Sequence, residues 1–132
     1  MNPIELKEIK DSDFDSEVVA SVEIVKGSIG SASVGAGGGF SIGSITLPEK
    51  SMCIVVASVS ATAKDVTGIV SLQIELGDTE STAPDSISKS STTVTCICEG
   101  GTTLEVSGSV GSAALVKVTQ LKALCIINKR EE

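Results

Sequence analysis

Four cysteines, Cys53, Cys96, Cys98 and Cys125, carry the richest chemistry in this sequence, because thiols form disulfides, bind zinc or attack electrophiles. Cys96 and Cys98 stand two apart and so share one face of any strand that holds them. A C-x-C pair in a chain with no histidine and no second such pair is a poor zinc set. Each cysteine also lies in an apolar run, MCIVVASV, TVTCIC or LKALCII, where a free thiol behaves as a small buried hydrophobe. The expectation is core packing, with no metal bound.

The acids are the next candidates. Asp11, Asp13 and Asp15 alternate as in a calcium loop, but the glycine of the sharp turn and the glutamate that closes such a loop are missing. They read as part of a solvated acidic arm. Asp78, Glu80 and Asp85 fall in a polar stretch, GDTESTAPDSISKS, where a cation bridging subunits competes with the simpler reading of acids held in water. Acid-base or triad catalysis is hard to assemble without histidine and with the carboxylates scattered over turns and outward positions. The chain is therefore expected not to be an enzyme, with no catalytic residues and no cofactor. The glycines at 35 and 37–39 precede no helical pattern and no Lys-Ser or Lys-Thr pair, so they do not make a phosphate loop.

What must position these residues follows from composition. A chain of 132 residues is one domain's worth and can bury a core without crosslinks. With 41% apolar but only 2% aromatic residues, that core must be made of Val, Ile, Leu, Ala and Cys, a mix that favours strands. The net charge of −7 argues against nucleic acid, whose affinity comes mainly from Lys and Arg on phosphates. There is no apolar run long enough to span a bilayer, and the N-terminus lacks the basic start and apolar block of a signal peptide, so a soluble protein made in the cytoplasm, with no membrane partner, is expected.

Residues 1–17 form a distinct arm holding six acids and two lysines. Its apolar anchors, Ile4, Leu6, Ile9 and Phe14, fit neither a helical stripe nor strict alternation. Such a peptide either orders on a partner or stays an unstructured terminus. A head, residues 18–132, starts where Val18, Ala20, Val22 and Ile24 fall on one side of a strand. A strand with Phe40, Ile42 and Ile45 follows the glycine cluster, and Leu47-Pro48-Glu49-Lys50 turns into MCIVVASVSA. There Cys53, Val55, Ala57 and Val59 share one face, while Met52, Ile54 and Val56 make the other apolar too. In VTGIVSLQIEL, Val66, Val70, Leu72, Ile74 and Leu76 point inward and Gln73 and Glu75 outward. GDTESTAPDSISKS is expected to be a long surface loop. Val94, Cys96 and Cys98, then Leu104, Val106 and Val110, resume the alternation around a turn at Glu99-Gly100-Gly101. The last run, ALVKVTQLKALCII, ends apolar on both faces, with Leu121, Ala123, Cys125 and Ile127 on one and Leu124 and Ile126 on the other. Seven or so short strands and no helix of any length imply an all-β, antiparallel sandwich or barrel. A second dry face near Ile54 and Leu124 needs a cover, which a sister subunit supplies in a homo-oligomer.

The order "VTGIVSLQIEL, polar stretch, TTVTCICEGGTTLEVSGSVGSAALVKVTQLKALCI" resembles the C-terminal half of complement-globular-head and tumour-necrosis-factor-like jelly rolls. The likeness is to the trimeric heads found on bacteriophage fibres and capsid decorations. Cys98-Glu99-Gly100-Gly101 resembles the turn joining two of that family's strands, flanked by Val94 and Leu104, and LPEKSMCIVVASVSA resembles its early central strand. The resemblance covers about residues 20–127. The aromatic residues that normally fill that family's core and trimer axis are missing here. The resemblance implies an antiparallel jelly roll in a tight trimer whose inner sheet faces the threefold axis, with Ile54, Val56, Leu124 and Ile126 at the interface.

Two functions follow from it. In the first, the chain is a virion structural protein, a capsid decoration or short head fibre, whose arm docks on a capsid or other virion protein while the β head projects as a homotrimer. In the second it is a receptor- or glycan-binding fibre tip; the absence of Trp and Tyr, which enrich binding surfaces, weighs against that.

Overall fold

The computed structural model describes residues 20–65 and 67–128. The arm anchors Ile4, Leu6, Ile9 and Phe14, the Asp11–Asp15 triplet, Val18 and Val66 lie outside them. Alternating apolar residues separated by Gly and Ser turns yield twelve strands: β1 (Ala20–Lys26), β2 (Ser28–Ile29), β3 (Ser31–Val34), β4 (Gly39–Thr46), β5 (Ser51–Ala63), β6 (Ile69–Val70), β7 (Leu72–Leu76), β8 (Thr79–Thr82), β9 (Ser86–Ile87), β10 (Lys89–Glu99), β11 (Thr103–Val110) and β12 (Ala114–Asn128). No helix forms among the described residues.

The strands build two five-stranded antiparallel sheets and one short two-stranded pair. The first sheet runs β1-β12-β5-β10, with β3 also on β12; the second runs β2-β4-β11-β7-β8; β6 and β9 make the small pair. β12 is long enough to serve two partners along one edge. Its residues 122–128 pair with β1 and its residues 114–117 with β3. Between them the chain leaves to lend Ser28 and Ile29 to β4 in the second sheet, then returns. Gly27 is the crossing point: a Cβ there would collide with the Leu121 side chain and the Ser44 carbonyl, so only glycine lets the backbone pass.

The inward faces share one core. β5 contributes Cys53, Val55, Ala57, Val59 and Ala61, and β12 contributes Val116, Val118, Ala123 and Cys125. From the second sheet come Ile45, Leu72, Ile74, Leu76 and Val106, with Phe40 the one core aromatic among the described residues. Val70, Leu72, Ile74 and Leu76 are buried, as the alternation requires.

Two bulges explain where simple alternation breaks. Opposite β11 the register skips Ile42, so Phe40 and Ile45, of opposite parity, both point inward. On β12 it skips Thr119, which moves the buried set from Ala114, Val116 and Val118 to Leu121, Ala123 and Cys125. The expected surface loop after Leu76 is a correction. Thr79–Thr82 forms β8, hairpinned to β7 through Gly77 and Asp78, and Ser86–Ile87 forms β9. Gly77, at φ 62, occupies the first central position of the two-residue turn, the place a type II′ hairpin reserves for glycine. All four residues of β8 are polar, so no alternation marked this strand at the edge of the second sheet.

Candidate assembly face

β5 and β12 are central strands, so both of their edges are paired. Their inward sides meet the second sheet. Their outward sides carry Met52, Ile54 and Val56 on β5 and Leu124 and Ile126 on β12. Ile54 and Leu124 are directly opposite each other and each is 41% exposed. The structure therefore brings Ile54, Val56, Leu124 and Ile126 together on one face, with Val56 opposite Lys122 and Ile126 opposite Met52.

Strand register extends that face in both directions. Ile24 on β1 lies opposite Leu124, and Ile97 on β10 lies opposite Ile54, so Ile24, Leu124, Ile54 and Ile97 form one apolar rung across all four strands. Its ends are the most open, Ile24 at 67% and Ile97 at 70% exposed. The next rung is Val22, Ile126, Met52 and Glu99. On the other side it is Lys26, Lys122, Val56 and Thr95, beyond which Ser58 hydrogen-bonds to both Thr93 and Gln120 and a polar rung closes the apolar area. A hollow of about 130 Å³ opens between Ile24, Ile54, Val56, Lys122 and Leu124. Contiguous exposed apolar side chains, unlike scattered single ones, make this face a candidate interaction surface.

Val22 and Ile24 were read from the sequence as sharing one side of the first strand, but neither they nor Ile97 were placed on this face. Their alternation was visible, but membership in a rung depends on which strands pair and in what register. A smaller apolar contact, Ile69 opposite Ile87 in the β6–β9 pair, is also exposed.

The charges on the face are arranged by corner. Lys26 and Lys122 are cross-strand neighbours at the β1 side, and Glu99 stands at the β10 side. Like charges directly opposite each other weaken a strand pair.

The cysteines sit on the inward side of the same sheet. Cys125 is opposite Cys53, and Cys53 is opposite Cys98, giving one rung of three thiols on β12, β5 and β10. The Cys53 thiol donates to Cys125 Sγ at 3.0 Å, and Ser51 Oγ lies 3.2 Å from Cys53 Sγ. Cys53, Cys96 and Cys125 are buried; Cys98, on the edge strand, is partly exposed. Burial, reinforced by Cys53 and Glu23, pushes the Cys125 thiol up to about 12. Burial, with Cys96 and Cys53 alongside, pushes Cys98 up to about 11.

Among the described residues, no group of three His, Cys, Asp or Glu side chains is placed to hold a metal ion. Asp78 turns the β7–β8 hairpin, and Glu80 accepts a hydrogen bond from Gln73 Nε2 at 3.1 Å. The glycines at 37–39 form the turn that carries the chain from β3 to β4. No protein-family model matches the chain, and no curated protein is significantly similar to it.

Proposed function

We propose that this protein is a non-enzymatic virion structural protein, a capsid decoration or short head fibre, which trimerises through the outer face of its first sheet and docks by residues 1–17. The observation that carries the assembly reading is the apolar rung Ile24, Leu124, Ile54 and Ile97, exposed across four strands of a single chain. A sister copy is the simplest cover for it.

The strand order supports the jelly-roll reading. Counting β1, β4, β5, β7, β8, β10, β11 and β12 as eight successive strands, the sheets run 1-8-3-6 and 2-7-4-5, the order of a jelly roll. The corner charges favour a head-to-tail contact, in which the Lys26 and Lys122 corner of one copy meets the Glu99 corner of the next, and a rotation of one third of a turn between copies closes such a contact into a trimer. The virion role rests on the resemblance of residues 20–127 to phage fibre and decoration heads, and on the acidic arm with its few apolar anchors.

Native mass spectrometry of the full chain tests the assembly. Three chains per particle is the expected result, and a single chain at micromolar concentration would sink it. For the docking role, removal of residues 1–17 leaves a folded trimer that no longer co-sediments with its particles; retained attachment refutes the arm as the dock.

A further inference from the structure

The rung of three thiols is not used by the assembly reading and stands independently of it. Cys53 and Cys125 face each other across antiparallel strands with their sulfurs 3.0 Å apart, closer than a relaxed contact between two sulfurs. Directly opposed positions on adjacent antiparallel strands have a Cα separation within the range a disulfide spans, so closing the bond requires side-chain rotation and not backbone movement. Both side chains are fully buried, which keeps solvent-borne reagents from reaching them directly. Cys98, next in the same rung on the edge strand, packs against the rim of the core and is the most exposed of the three.

We propose that Cys53 and Cys125 form a disulfide-forming pair, oxidised by a small-molecule disulfide through Cys98. The chemistry balances in three exchanges. The Cys98 thiolate attacks one sulfur of the small disulfide, forming a mixed disulfide and releasing one small thiol. The Cys53 thiolate attacks the Cys98 sulfur and expels the second small thiol. The Cys125 thiolate then attacks the Cys53 sulfur and releases Cys98, which takes up a proton. In sum Cys53 and Cys125 lose two electrons and two protons, and the small disulfide is reduced to two thiols. The bond closes a loop between positions 72 apart, so it constrains the unfolded chain strongly. Because burial makes Cys98 and Cys125 resist ionisation, the exchange is slow at neutral pH and quickens under alkaline conditions.

The test incubates the full-length protein with oxidised glutathione at mildly alkaline pH and maps the product by non-reducing peptide mass spectrometry. The expected product is a Cys53–Cys125 cross-link, lighter by two hydrogens, with free Cys96 and Cys98, and its melting temperature is higher by roughly 10 °C. In Cys98→Ser the same bond forms at least about tenfold more slowly, since Cys53 and Cys125 must wait for the core to open. Cys98→Ala serves as the second variant should the serine be poorly accommodated. In Cys53→Ser glutathione stays attached at Cys98. Four free thiols in the treated wild-type protein, a bond mapped to Cys98 as the final product, or wild-type rates in both Cys98 variants would overturn the proposal.

Discussion

Leu124 and Ile54 stand opposite each other on the two central strands of the first sheet, back to back with Cys125 and Cys53, their chain neighbours on the buried side. The same strand pair thus presents an apolar rung to the outside and a thiol rung to the core. Its outward half is the part that a monomer leaves open.

Aspartate at either outward position separates folding from assembly. Leu124→Asp or Ile54→Asp keeps the circular-dichroism signature of a β protein but moves the native mass from trimer to single chain or aggregate. The reference is Glu75→Asp, on the other sheet, which leaves the mass unchanged. A trimer in Leu124→Asp would show that this face is not the interface.

Charge exchange tests the direction of packing. Lys122→Glu removes a like-charge pair with Lys26 and so stabilises the isolated chain by about 0.2–1 kcal/mol. It weakens the trimer at the same time, measured as a higher dissociation concentration, and Glu99→Lys in the same chain restores part of the loss. Failure of the double exchange to restore anything argues for a contact that does not pair these corners.

Burial sets the scale of core substitutions. Ile74 is fully buried, and Ile74→Ala costs about 2–5 kcal/mol in urea unfolding. Ile97→Ala, at a side chain 70% exposed, costs the single chain under about 0.5 kcal/mol while loosening the assembly.

A pH dependence follows from the thiols. An unfolded cysteine ionises around its ordinary value of 9.0, whereas folded Cys98 and Cys125 hold their protons to about 11 and about 12. Above pH 9 the unfolded state therefore binds fewer protons than the folded one, and stability falls as pH rises through that window. Below pH 9 these thiols leave stability flat. Chemical denaturation between pH 8 and pH 11 reads the slope, and a double replacement, Cys98→Ala with Cys125→Ala, flattens it.

Much of the fold was legible because burial on one side of a strand writes itself as alternation. Cys53 to Val59 and Val70 to Leu76 are inward where the pattern places them. Ile54, Val56, Leu124 and Ile126 were also visible as apolar residues on the wrong side. What the pattern omits is pairing. The rung that adds Ile24 and Ile97 and the alignment of Cys98, Cys53 and Cys125 depend on register between segments far apart in sequence. β8 was missed because Thr79–Thr82 pairs by its backbone with polar side chains on both sides. The bulges at Ile42 and Thr119 reset the parity by one residue, which no fixed period can anticipate.

β12 follows β1, β3 and β5 in the chain and lies between them in the sheet. Until it is synthesised, β1 and β3 have no neighbour in that sheet and one edge of β5 stays open. Sheet closure is therefore among the last events of folding and draws on contacts of long sequence separation, which places the protein among slow folders, in the range of milliseconds to seconds. A chain caught before that moment displays unpaired strands with apolar residues on either side, so its solubility during synthesis hangs on how quickly one late segment arrives.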